Sequence, residues 1–316
     1  MSRWGTIWRW LRLLLGVGLL LALLPIFAQP EFWATLTQVN VPLLIAATVL
    51  AAISVISKAW RWGVVMRWRG IALSNGYLIR SYFVSMFFNN FLPSGMGGDV
   101  LRAYQTARDT GRGAESVVGV VIERGSGMLG LFAAGSVAAL IVPLPTGITL
   151  LVHGLFLGTL VALWALWAEV TGKLLATVGR WLPAAGIVHS VWEKITRLYD
   201  EFRQYRREWR LFAAVMGQSL ITLVTTIFSV YLLLLAFGDG ASLAGFAAVF
   251  AIVTAIDIIP FSLNGLGIRE GTYVYFLGLL GTPASVALGV ALLVRLIVAL
   301  FAVVGGVWFI LAKAPQ

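Results

Sequence analysis

The sequence predicts an all-α integral membrane protein with about six full transmembrane helices and two re-entrant, broken-helix hairpins in inverted repeats. Three observations predict it. Of the 316 residues, 60% are hydrophobic and 11% charged, more apolar surface than a water-soluble domain of this length can bury. All but three of the 23 Lys and Arg fall in segments that a single topology puts on the cytoplasmic side; the exceptions are Arg124, Arg269 and Arg295. Two polar stretches broken by Gly and Pro, 89–99 and 257–270, interrupt hydrophobic runs at corresponding places in the two halves. Broken backbone survives in a bilayer only where protein buries it or water reaches it.

Taken in order, residues 1–12 set Arg3, Arg9 and Arg12 among Trp4, Trp8 and Trp10, an interfacial anchor on the cytoplasmic side. The apolar run 13–28 is read as a retained first span; a signal peptide is the alternative, but no small-x-small cleavage site follows. The loop 29–40 has Glu31 and no Lys or Arg, which suits the outside. Residues 41–57 return to the cytoplasm, where Lys58, Arg61, Arg67, Arg69 and Arg80 follow with Trp60, Trp62 and Trp68. The run 77–92 reaches the first break, and 99–113 beyond it carries Arg102, Arg108 and Arg112. Basic flanks on both sides predict a hairpin that enters and leaves on one face. Counting it as a full span instead would put those three arginines outside.

Residues 114–143 form a span that contains Glu123 and Arg124, and 148–168 come back in. The segment 169–210 is the most polar, with Trp192, Ile195, Tyr199, Phe202 and Trp209 at intervals of about one helical turn. It reads as an amphipathic helix on the inner leaflet or as a cytosolic connector with a solvated charged face. Residues 211–237 cross outward, 241–259 run to the second break, 271–280 follow, and 283–311 cross inward. Both termini are then cytoplasmic. The chain 1–316 is one membrane domain, with repeat 1 at about 41–143, the connector at 169–210 and repeat 2 at about 211–311.

The net charge of +10 follows from the positive-inside bias and calls for no nucleic acid partner. The absence of cysteine excludes disulfides, thiol catalysis and thiolate metal sites. His153 and His189 make a poor metal set. His153, in an apolar run, reads as a packed or hydrogen-bonded core residue, with a proton relay as the alternative. Gly125, Gly127 and Gly130 fit GxGxxG but follow no strand, so helix packing explains them better. No cofactor or metal motif is present.

An ionised side chain at the bilayer centre costs roughly 2.5–3.5 kcal/mol even on the lenient insertion scale. Glu123, Arg124, Asp257, Arg269, Glu270, Arg295 and Asp99 must therefore pair or line a polar cavity. They are either structural ion pairs or a cavity facing a headgroup. A matched pair of broken helices points to a transport site between two repeats. Helices starting after Pro93 and Gly265 would offer free N–H groups to phosphate. Gly95, Gly97, Gly98, Gly265 and Gly267 would allow close approach or merely tight turns. Asn89, Asn90, Ser94, Ser262 and Asn264 would hydrogen-bond the ligand or cap the helices, and Arg102 and Arg269 would fork onto a phosphate.

Three motifs carry a resemblance: the run 87–104 (with Asn89, Asn90, Pro93, Gly97, Gly98, Asp99 and Arg102), the pair Glu123-Arg124, and the run 260–271 (with Asn264, Gly265, Gly267, Arg269 and Glu270). Together they resemble the lysylphosphatidylglycerol synthase transmembrane region, a flippase-like family, over nearly the whole chain. The resemblance implies a lipid-flipping membrane domain. The aminoacyl-transferase domain of the best-known members has no counterpart in these 316 residues, so synthesis of lysyl lipid is not expected.

The expected substrate-binding residues are Asn89, Asn90, Ser94, Gly97, Gly98, Asp99, Arg102, Glu123, Arg124, Asn264, Gly265, Gly267, Arg269 and Glu270. The expected activity is translocation of a phospholipid or lipid-phosphate across the cytoplasmic membrane, without enzymatic chemistry. A transferase acting on a lipid headgroup and a scaffold for a lipid-modifying enzyme are the alternatives. The expected partners are a membrane lipid with an anionic or phosphate-bearing headgroup and, beyond it, a second copy of the chain or a lipid-synthesis enzyme.

Overall fold

A computed structural model describes residues 30–91, 97–182, 186–258 and 267–311. The first predicted span, Pro93, Ser94, Pro260, Asn264 and Gly265 lie outside these residues. Among the described residues the chain is helical, with no strand. The helices are α1 (Pro30–Thr37), α2 (Val41–Trp68), α3 (Asn75–Phe91), α4 (Gly97–Thr110), α5 (Gly113–Ile141), α6 (Thr146–Trp167), α7 (Glu169–Gly179), α8 (Ile187–Arg203), α9 (Trp209–Ala236), α10 (Leu243–Ile258), α11 (Ile268–Gly278) and α12 (Ala284–Leu311).

Five of these, α2, α5, α6, α9 and α12, are long and apolar enough to cross a membrane. At ~1.5 Å per residue the 28 residues of α2 reach ~42 Å, beyond a hydrocarbon core of ~30 Å. They match the five predicted spans that fall on described residues. Large side chains such as Leu140, Leu150, Ile310 and Leu311 are two-thirds exposed or more on their outer faces. A multi-pass membrane protein covers such a surface with lipid.

The four helices beside the breaks are shorter. α3 has 17 residues, α4 14, α10 16 and α11 11, so each extends only ~17–26 Å. α3 and α4 run antiparallel. Tyr77 at the start of α3 donates to Asp109 (3.1 Å) near the end of α4, while Asn89 at the end of α3 accepts from Gly98 N–H (2.6 Å) at the start of α4. α10 and α11 pair the same way: Asp257 meets Arg269 at the broken end, and Gly245 packs on Leu280 at the other.

One end of the second predicted span needs correction. α2 does not stop at Ser57 but continues to Trp68, so Lys58 and Arg61 sit inside the helix rather than in a loop. The cause is a partner. α2 lies antiparallel against α9 through Ser54–Thr226 (2.5 Å), Ser57–Thr222 (2.7 Å) and Arg61–Ser219 (3.2 Å). Side chains that read as an aqueous stretch therefore face polar groups of another helix.

The packing is reciprocal. α3 lies on α12 and α10 lies on α5, while α2 and α9 meet each other. The close approaches correspond too: Gly305 in α12 rests on the backbone at Phe83 in α3, and Gly135 in α5 rests on Ala251 in α10. The segment 169–210 is two helices rather than one. α8 docks on the α5 and α6 ends with Tyr199 and Phe202 buried, while Ile195 and Trp209 remain exposed.

Candidate functional site

Between α2, α3, α5, α9, α10 and α12 lies a cavity of about 390 Å³, within the ~300–1,000 Å³ of small-molecule sites. Asn89 and Asp99 bring the first break to its wall, and Asp257 and Arg269 bring the second. Hydroxyls from Ser54, Thr222, Thr226 and Thr254 join them, and Leu233, Phe250, Ile297 and Phe301 supply an apolar side. The lining is therefore amphipathic.

The ionic end is an alternating chain. Glu123 accepts from Arg61 (2.5 Å) and Arg102 (2.7 Å). Arg102 reaches Asp99 (3.0 Å), and Asp99 also pairs with Arg124. α5 contributes Glu123 and Arg124 as neighbours in sequence, and α4 contributes Asp99 and Arg102 one turn apart, so each helix presents one acid and one base to the other. Arg102 is fully buried, its guanidinium 4.4 Å from the Tyr82 ring and 4.9 Å from the Trp62 ring. Two carboxylates and two aromatic faces offset the cost of burying that charge.

The second break is built alike. Asp257 accepts from Arg269 (2.7 Å), and Glu270 pairs with Arg295 (2.6 Å). Gly267, at φ 78°, opens α11, and its N–H goes to Glu270 (2.8 Å). Asp257 Oδ1 is buried without a hydrogen-bond partner among the described residues.

Matched positions recur. Asp99 and Glu270 are each the third residue of their helix, counted from Gly97 and Ile268. Arg124 and Arg295, their partners, are each the twelfth, from Gly113 and Ala284. Asn89 and Asp257, which both bond the opening turn of the next helix, are each the fifteenth, from Asn75 and Leu243.

The cavity thus gathers Asn89, Asp99, Glu123, Arg124 and Arg269 from the expected set. Gly97, Gly98, Arg102, Gly267 and Glu270 stand behind its wall. Ser94, Asn264, Gly265 and the Asn90 side chain lie outside the described residues. Two expectations change. Arg102 pairs with two carboxylates through Nε and Nη2 and is fully buried between rings; its Nη1 has no hydrogen-bond partner among the described residues but is closed off from the cavity, so its fork is not turned to a ligand. The Gly98 and Gly267 amides at the two helix starts are also engaged, by Asn89 and Glu270, rather than left open for phosphate. His153 hydrogen-bonds Ser136 (2.7 Å).

Sequence reasoning missed Lys58, which lines the cavity and makes no hydrogen bond or ion pair among the described residues. A signal was present: Ser54, Ser57, Lys58 and Arg61 recur at helical spacing along one stripe. Ser219, Thr222, Thr226 and Ser229 form a similar stripe on α9.

A family model described as Lysylphosphatidylglycerol synthase TM region matches residues 9–306. Among curated proteins and among solved structures nothing matches.

Proposed function

From the premise that this chain belongs to the lysylphosphatidylglycerol synthase TM region family, we propose that it is a lipid translocase. It carries a phospholipid or lipid-phosphate headgroup through the polar cavity while the acyl chains stay in the bilayer. The observation that carries this reading is that residues flanking both breaks, Asn89 and Asp99 at the first and Asp257 and Arg269 at the second, line the same amphipathic cavity. Structural ion pairs alone would need no such volume beside them.

The finer architecture belongs to the proposal. α3–α4 and α10–α11 are re-entrant hairpins, too short to span, with their broken ends near the midplane. Residues 41–143 and 211–311 are inverted repeats, supported by the antiparallel α2–α9 pair and by the matched positions of Asp99–Arg124 and Glu270–Arg295. The run 13–28 is a sixth span, the membrane is the cytoplasmic one, and both termini are inside. Rocking of one repeat against the other opens the cavity to each leaflet in turn. Asn89, Arg124 and Arg269 meet the headgroup; Arg102 and Glu123 hold the wall.

The test is reconstitution of the full chain in liposomes that carry an acyl-labelled phospholipid, with leaflet exchange followed by a membrane-impermeant quencher. Exchange well above protein-free liposomes, with the headgroup unmodified by mass, supports translocation. A changed headgroup mass would favour a transferase. No exchange from folded protein would leave the scaffold reading.

A further inference from the structure

The cavity region is not electrically balanced. Around the first break four cations, Lys58, Arg61, Arg102 and Arg124, face two carboxylates, Asp99 and Glu123. Around the second break Arg269 and Arg295 face Asp257 and Glu270, one for one. The stretches 92–96 and 259–266 hold no charged residue, and 1–29 hold no acidic one, so they supply no missing carboxylate. The chain's other acidic residues lie near helix ends, in turns or on the connector.

One of the two surplus charges is left by three arginines sharing two carboxylates, and the other is Lys58. Arg61, Arg102 and Arg124 all engage carboxylates, whereas the Lys58 ammonium faces the cavity with three donors and no partner among the described residues. It stands in the interior of α2, ten residues before the end at Trp68, ~15 Å along the axis. An ammonium that borders a largely apolar cavity without a paired carboxylate is costly, and an anionic ligand offsets the cost. Ser54 and Thr226 share the wall with it; they bond each other (2.5 Å), which leaves one of the two hydroxyl protons for the same oxygens.

We propose that Lys58, at the α2–α9 seam, anchors the phosphate of the ligand, and that a dianionic phosphomonoester headgroup matches the surplus of two positive charges better than a phosphodiester or a zwitterion. The inference rests on the translocase reading only for the ligand being a lipid. The phosphate chemistry is common to lipid and free phosphate, and the test separates them.

The experiment measures dissociation constants of the detergent-solubilised full chain for short-chain phosphatidate, phosphatidylglycerol, phosphatidylcholine and inorganic phosphate. The expected order is phosphatidate tightest, then phosphatidylglycerol, with phosphatidylcholine weakest. Lys58→Met is expected to weaken phosphatidate by about 10- to 100-fold, the loss of one charge-assisted contact, while Lys58→Arg stays within a few-fold. Lys58→Gln serves as the second neutral variant if Lys58→Met does not remain monodisperse. Phosphatidate bound by either neutral variant with wild-type affinity overturns the proposal, as does phosphatidylcholine bound as tightly as phosphatidate. Inorganic phosphate bound as tightly as phosphatidate, and lost with Lys58, keeps the anion site but overturns a lipid as its source. Leaflet exchange reads separately. Lysine-dependent binding without exchange sinks the translocase reading alone, and exchange with lysine-independent binding sinks this one alone.

Discussion

Glu123 neutralises two arginines at once, Arg61 and Arg102, at a site almost closed to solvent. Removing its charge leaves both guanidiniums undercompensated, and breaking a buried pair costs about 3–5 kcal/mol. Glu123→Gln is therefore expected to lower the thermal midpoint of the purified protein sharply. Arg102→Lys should behave alike, because an ammonium cannot span Asp99 and Glu123 while stacking between Trp62 and Tyr82. Its signature is lost stability with ligand affinity preserved in the fraction that folds. Arg124→Ala and Arg269→Ala, on the cavity wall, are expected to do the reverse: near-normal expression and leaflet exchange reduced toward the passive rate. Exchange retained by both would remove them from the ligand site. In sequence Arg102 looked equivalent to Arg269, since each follows a Gly-rich break. The contacts that bury Arg102 come from Trp62 and Tyr82, residues 40 and 20 positions away in the numbering, and no local pattern encodes them.

At the scale of elements, close packing depends on missing side chains. A Cβ on Gly305 would collide with the backbone at Phe83, and one on Gly98 with the backbone at Ser85. Backbone cannot swing aside as a side-chain end can, so Gly305→Ala and Gly98→Ala are each expected to cost about 1–3 kcal/mol or more. Gly147→Ala and Gly154→Ala, with open space around them, are the neutral comparison. Thermal unfolding of the four variants checks this. The five spans on described residues were legible because long apolar runs have one solution in lipid, and the shortness of α3, α4, α10 and α11 because Pro and Gly break such runs. The C-terminal third of α2 was not legible: Lys58, Arg61 and three tryptophans have the composition of a membrane–water interface, and only distant residues, Ser219 and Glu123 for Arg61 and Arg102 for Trp62, bury part of it, while Trp60 and Trp68 stay exposed. On α7, Val170, Leu174 and Val178 are exposed along one face, and Trp181 is exposed in the turn just beyond, with Lys173 and Arg180 on the same short segment. An amphipathic helix of this kind lies on a lipid surface. Because the chain has no cysteine, Leu174→Cys can carry an environment-sensitive dye. A blue shift on reconstitution into liposomes is expected, and an unchanged spectrum would make α7 a solvated connector.

Over the whole molecule, α2 and α9 lie antiparallel, and the ion pairs Asp99–Arg124 and Glu270–Arg295 occupy equivalent positions in their helices, which is what the proposed inverted repeats require. In the proposed translocase, near-symmetry of this kind would give two conformations of similar energy, each closing one leaflet. The charge is not symmetric, however: the excess cations gather around Asp99 and Glu123, so the proposal expects the ligand phosphate to stay near α2 as the repeats exchange roles. The central claim is that water reaches this cavity from both sides in turn. The most direct measurement uses Thr226→Cys and Thr254→Cys, each the sole cysteine in its variant, with a membrane-impermeant thiol reagent applied to sealed vesicles of either orientation. Labelling of both positions from both sides is expected, slowed by a phosphate-bearing lipid. No labelling from either side, while a cysteine at the exposed Thr177 reacts, would contradict it.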